Sequence, residues 1–155
     1  MKFVRRSRPS ARRALRCAFV SVVLAWAGGA DAEVPTYHVV VNAQNPVSEM
    51  PRADVSKIFL KQLTKWPDGR IVVPVDQSAN SDVRAVFCTG VHQRSPQAIQ
   101  SYWQKEIFSR RGAPPFVKVG DDEVMAFVVS NTAAIGYVSG EAKVSPGLKV
   151  LRLKD

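Results

Sequence analysis

The run Ile71-Val72-Val73-Pro74-Val75-Asp76-Gln77-Ser78-Ala79-Asn80-Ser81-Asp82-Val83-Arg84-Ala85-Val86-Phe87 changes its periodicity halfway along. Up to Asp76 it is nearly continuous in apolar, mostly β-branched residues, which suits a strand covered on both faces. After the polar residues 77–81, apolar side chains return as Val83, Val86 and Phe87, the spacing of one helical face. Asn80 or Ser81 can cap that helix, because a short side-chain oxygen there accepts a backbone N–H that has no helical partner. A buried strand feeding a helix through a short polar loop is the unit from which α/β proteins are built. Pro74 has no N–H to give a ladder, which predicts an edge strand or a strand end.

The same alternation extends in both directions. Upstream, Tyr37-His38-Val39-Val40-Val41-Asn42 reads as another buried strand, and Pro51 opens a helix with Val55, Ile58 and Phe59 on one stripe. Trp66-Pro67-Asp68-Gly69 carries the signature of a tight turn. Downstream, Ser95 and Pro96 begin a helix with Ile99, Tyr102 or Trp103, and Ile107 on a common face, which residues 110–115 end. Asp121, Asp122 and Glu123 favour a helix start ahead of Val124, Phe127 and Val128. Residues 135–138 and 148–153 complete the series as strands. The fold class this predicts is α/β: a single three-layer sandwich with a mainly parallel sheet flanked by helices.

The first 32 residues have another character. Lys2, Arg5, Arg6, Arg8, Arg12, Arg13 and Arg16 form a cationic stretch without a carboxylate, followed by an apolar run at residues 18–27. That run falls well short of the roughly 20 residues a membrane-spanning helix needs. Gly28 and Gly29 break it, and Ala30-Asp31-Ala32 places small residues where signal peptidase cuts. Residues 1–32 therefore read as a cleaved secretory signal and residues 33–155 as one exported domain. Arg12-Arg13 leaves Sec and twin-arginine export both open. The signal holds seven of the 22 Lys and Arg and one of the 13 Asp and Glu, leaving 15 basic against 12 acidic side chains. That balance lacks the basic excess of a nucleic-acid-binding domain. Cys88 is the one cysteine left, so a packed core and not a disulfide must hold the domain.

In open α/β sheets, ligands gather beyond the carboxyl ends of strands, where loops deliver polar groups. Residues 76–84 fit that description: Ser78, Asn80 and Ser81 offer hydrogen bonds and Arg84 a forked guanidinium, a set that suits a small oxyanion. The carboxylate of Asp82 would repel an anion unless the anion keeps a proton to donate, as monohydrogen phosphate does and sulfate does not. The same residues have a purely structural use, with Asn80 or Ser81 capping, Asp82 meeting the helix dipole and Arg84 in solvent. Residues 42–45 either line the same edge or form an ordinary loop, and Trp66 and Trp103 either stack on a ligand or pack in the core. No catalytic role is expected, since neither His38 nor His92 stands in a motif that sets a base beside a nucleophile. Cys88 and His92 lie four apart without a further pair of metal-ligating residues, so no metal or other cofactor is expected.

Several stretches recur in a telling order: Val39-Val40-Val41-Asn42 with Asn45-Pro46, then Val55-Ser56-Lys57-Ile58-Phe59-Leu60 with Trp66. Val75 with the loop and helix of residues 78–87 comes next, and Ala134-Ile135-Gly136-Tyr137-Val138 last. Together they resemble the substrate-binding proteins of phosphate ABC transporters, especially short, one-lobe relatives. The resemblance implies a periplasmic-binding-protein type of fold and a periplasmic location. It further implies phosphate or a related oxyanion held by Ser78, Asn80, Ser81 and Arg84, and an ABC transporter permease or other envelope protein as partner. Such proteins close two lobes around the ligand, whereas residues 33–155 suffice for one. A homodimer would supply the opposite wall. The alternative is an interaction module that has lost ligand binding and docks on an envelope transporter, sensor or secretion partner.

Overall fold

The computed structural model describes residues 36–155; the expected signal, residues 1–32, lies outside the described residues. Strand β1 (Tyr37–Asn42) is followed by the short β2 (Glu49–Pro51) and helix α1 (Arg52–Phe59), on whose inner stripe Val55, Ile58 and Phe59 are buried. Trp66 and Gly69 close the predicted turn through a Gly69 N–H to Trp66 carbonyl bond of 2.9 Å. The deciding stretch forms β3 (Val73–Gln77) and α2 (Asp82–Phe87), which continues into a π-helical turn at Cys88–His92. Then come α3 (Pro96–Phe108), β4 (Phe116–Lys118), α4 (Gly120–Val129), β5 (Ala134–Ser139), β6 (Leu148–Val150) and β7 (Arg152–Lys154).

Five strands form one sheet in the order β4-β3-β5-β1-β6, and β2 pairs with β7 in a separate parallel ribbon. β3 runs parallel to β4 and β5, while β1 runs antiparallel to β5 and β6, so β1 alone opposes the common direction. Successive side chains of a strand face opposite ways. Val39 and Val41 accordingly join Ile135, Tyr137, α1 and Phe87 of α2 on one face, while Val40 joins Val75, Val138 and α4 on the other. Helix α3 lies outside that first layer, with Ile99 and Trp103 against Leu60 and Cys88. The result is the expected three-layer α/β sandwich.

Four local expectations change. β3 is an interior strand, but Pro74 pairs only with β5, because the ladder to β4 begins at Val75; the proline sits where the strand is still locally an edge. The reversed direction of β1 carries its carboxyl end to the opposite edge of the sheet from that of β3. Asn42 and Asn45 therefore line no part of the residue 76–84 edge; Asn42 Nδ2 instead donates to the carbonyls of Val128 and Val129, tying down the end of α4 at 3.1 and 2.8 Å. Residues 148–153 are two strands, split where Leu151 turns into the core and its N–H reaches the Val39 carbonyl at 2.8 Å. Finally, Ile107 is 53% exposed despite sharing a helical stripe with buried Trp103.

Candidate functional site

The carboxyl ends of β3, β4 and β5 converge on one edge, together with the first turns of α2 and α4. Ser81 caps α2, its Oγ accepting the Arg84 N–H at 3.2 Å and donating to Gln77 Oε1 at 2.7 Å. Gln77 is buried beside it, with Nε2 donating to Asp121 Oδ1 at 2.8 Å and to the Tyr137 carbonyl at 3.0 Å. Asp121 Oδ1 also accepts the Ser139 N–H at 3.1 Å, which locks α4 to the end of β5. A buried amide with every polar atom engaged is costly to disturb, so this network fixes the loop after β3.

Asp76 organises the second half of the edge. Its Oδ1 accepts from the Tyr137 hydroxyl and, at 2.9 Å, from the Gln77 N–H, while Oδ2 accepts from Arg84 Nε at 3.2 Å. Both partners of this ion pair are largely enclosed, with side chains 11% and 15% exposed. Burial presses the Arg84 guanidinium toward losing its charge, but the Asp76 carboxylate outweighs it, aided by smaller contributions, and the pKa rises above its ordinary value. Burial, then the same carboxylate, pushes the Tyr137 phenol well above its usual range, so it remains a donor. Tyr137 is held in turn by Phe87, whose ring stacks on it at 3.9 Å between centroids.

Arg84 is thus oriented through Nε alone. Among the described residues neither Nη1 nor Nη2 has a protein partner, and the side chain borders a cavity of about 240 Å³. Ala79 forms one side of that cavity and Gln100, Trp103, Gln104 and Ile107 of α3 form the other. A guanidinium fixed at one nitrogen, with its two terminal nitrogens unbonded to protein, is pre-organised for bidentate contact with an oxyanion.

Of the four residues expected to touch a ligand, Arg84 faces the cavity and Ser81 is committed to capping and to Gln77. Ser78 and Asn80 lie in the loop between β3 and α2, outside the cavity lining, with side chains that have no hydrogen-bond partner among the described residues. Ser78 is anchored through its backbone, its N–H meeting the Lys118 carbonyl at 3.0 Å. Asp82 is exposed in the first turn of α2. Trp66 is core, its Nε1 donating to the Ala133 carbonyl at 2.9 Å, whereas Trp103 packs in the core and also borders the cavity. The joint role of Gln77, Tyr137 and Asp121 had no local signal, because the bonds that link Gln77 to the other two span more than 40 positions. Trp103 and Ile107 were legible on one helical face with Ile99, but Gln100 and Gln104, and the cavity wall all four make, were not.

A larger cavity of about 460 Å³ lies between α1 and the π-helical turn. Of its four cations, Arg52, Lys57 and Lys154 are paired with Asp155, Asp54 and Glu49, and Arg94 has no ion-pair partner among the described residues. His92 borders it, with Nδ1 2.8 Å from Ser56 Oγ. Burial lowers the imidazole pKa to about 4, so it is a weak general base at neutral pH and the pair does not activate the hydroxyl. The same burial raises the Cys88 thiol to about 11, which leaves it unreactive. No group of three metal-ligating side chains occurs among the described residues, and no helix there is long and apolar enough to cross a membrane.

No protein-family model matches the sequence, and no curated protein matches it. Solved structures do match in shape. One is described as a phosphate ABC transporter substrate-binding protein with bound phosphate from Clostridium perfringens, with a TM-score of 0.60 and 18% identity over 77% of this chain and 45% of that one. An ABC-type phosphate transport receptor from Vibrio cholerae gives 0.60 and 22%, covering 77% and 46%. PstS from Borrelia burgdorferi gives 0.55 and 9%, covering 78% and 48%. The chain spans less than half the length of each. Over less than half of their length, it therefore has the fold of the substrate-binding proteins of phosphate ABC transporters.

Proposed function

We propose that residues 33–155 are an exported, single-lobe solute-binding domain that captures phosphate or a related small oxyanion, and that an ABC transporter permease receives it. The observation that carries this reading is the Arg84 guanidinium, docked on Asp76 by Nε, bonded to no protein group at its terminal nitrogens and bordering a cavity. Of the loop, Ala79 borders the cavity and Ser78 and Asn80 flank it in the chain, close enough in sequence to reach a bound anion; Ser81 holds the loop's shape, and Asp82 would accept the proton of monohydrogen phosphate. The partly enclosed setting strengthens these contacts over their value in water. Titration calorimetry of the chain and of Arg84→Ala with phosphate and sulfate tests this. Phosphate heat that disappears in Arg84→Ala supports the proposal; equal heats in the two proteins refute it.

The interaction-module reading is favoured by a specific feature of the same edge. Asp76, Asp82, Asp121 and Asp122 outnumber Arg84 and Lys118 there, and the exposed apolar residues Phe108, Phe116, Val117 and Val119 lie on α3 and around β4. Two of those carboxylates are engaged internally, Asp76 by Arg84 and Tyr137, and Asp121 by Gln77 and Ser139. That engagement removes most of their repulsion and leaves oxyanion capture as the better-supported function.

A further inference from the structure

The wall opposite Arg84 is built for something larger than an inorganic anion. Helix α3 presents Gln100, Trp103, Gln104 and Ile107 to the cavity, positions i, i+3, i+4 and i+7, which make one continuous stripe. Two of these are apolar and two are neutral amides, and Arg84 is the one charged residue bordering the cavity. Ile107 is 53% exposed because no other part of the described chain covers it. An inorganic oxyanion held by the Arg84 fork would fill the charged end of the 240 Å³ space and leave the Trp103 and Ile107 surfaces wet.

Resting on the oxyanion reading above, we propose that the preferred ligand is an organic oxyanion: a phosphonate or phosphate monoester carrying a small apolar or aromatic substituent. Its anionic head meets Arg84. Its substituent lies across Trp103 and Ile107, with the carboxamides of Gln100 and Gln104 free to bond polar atoms at the rim. Trp103 is 7% exposed and held by Ile99, Leu60 and Cys88, so it offers a rigid edge with few rotors to freeze, and the exposed Ile107 supplies most of the apolar contact. Each methylene equivalent removed from water tightens binding by roughly fourfold. A phenyl substituent partly covered by the stripe should therefore gain on the order of tenfold or more over inorganic phosphate.

The test is calorimetric titration of the full chain with inorganic phosphate, methylphosphonate and phenylphosphonate, repeated with Ile107→Gln and Arg84→Ala. The exposed position of Ile107 makes its substitution safe for folding, and thermal melts confirm that each variant is folded. The expected result is phenylphosphonate binding at least tenfold tighter than phosphate, a ratio that collapses toward one in Ile107→Gln, and loss of both ligands in Arg84→Ala. Equal affinities for phosphate and phenylphosphonate, both lost in Arg84→Ala, overturn this inference and leave oxyanion capture standing. Phenylphosphonate binding that survives Arg84→Ala also overturns it, since the anionic head would then not be at Arg84. No binding of any of the three overturns the inference together with the reading on which it rests.

Discussion

Gly136 sits in β5 where a single added carbon would meet Val124 Cγ1 at 2.6 Å and Val75 Cγ1 at 2.8 Å. The sheet and α4 approach one another so closely there that only hydrogen fits. Gly136→Ala is expected to cost about 1–3 kcal/mol through overpacking, seen as a lower urea midpoint with an unchanged slope. His92 gives a second prediction. Its folded pKa of about 4 lies below the unfolded value of about 6.5, so over that interval the unfolded chain binds a proton that the folded chain refuses. Its contribution is fully present above pH 6.5 and is lost as pH falls toward 4, by on the order of 3 kcal/mol. His92→Gln should flatten this slope between pH 7 and 4.5 in denaturant titrations; a slope identical to that of the parent would contradict the assignment. Arg84 was legible as a candidate anion ligand from its place after a strand and loop. Its pairing with Asp76 was not, because eight residues of chain separate them and only the turn of α2 brings them together.

Helices announced themselves in the sequence wherever a cap preceded an apolar stripe. Ser95 accepts the Ala98 N–H at 3.2 Å ahead of Pro96, and Ser81 accepts the Arg84 N–H in the same way. Ser95→Ala should lower stability by about 1 kcal/mol, measured by equilibrium denaturation, with no effect on ligand binding because α3's cavity stripe begins a full turn later. The strands were less legible. β2 and β4 have three residues each and no periodicity long enough to register, and both are defined by partners distant in sequence. The direction of β1 left no local trace either, since a fully buried strand reads the same whichever way it runs. That direction decided which polar loops share an edge, and so removed Asn42 and Asn45 from the candidate site.

At the scale of the molecule, the extent of the described lobe bears on what the proposed site can do. The solved phosphate-transport proteins that share this fold are more than twice as long in chain as the region they match here. On the proposed function, an anion at Arg84 bordered by the described lobe alone would keep more of its hydration and bind more weakly than in a closed cleft. The central claim is that this edge nevertheless captures a small oxyanion, and a thermal-shift series tests it most directly. The purified chain is melted at matched ionic strength with chloride, sulfate and phosphate, at two protein concentrations. A site with a dissociation constant of about 100 μM, in about 10 mM phosphate, stabilises the fold by about 2.7 kcal/mol and raises Tm by roughly 10 °C. The account predicts a rise of that order with phosphate, a smaller one with sulfate because of Asp82, and none with chloride; a rise that grows with protein concentration would mean that a second copy completes the cleft. Equal melting temperatures in all three salts would contradict it.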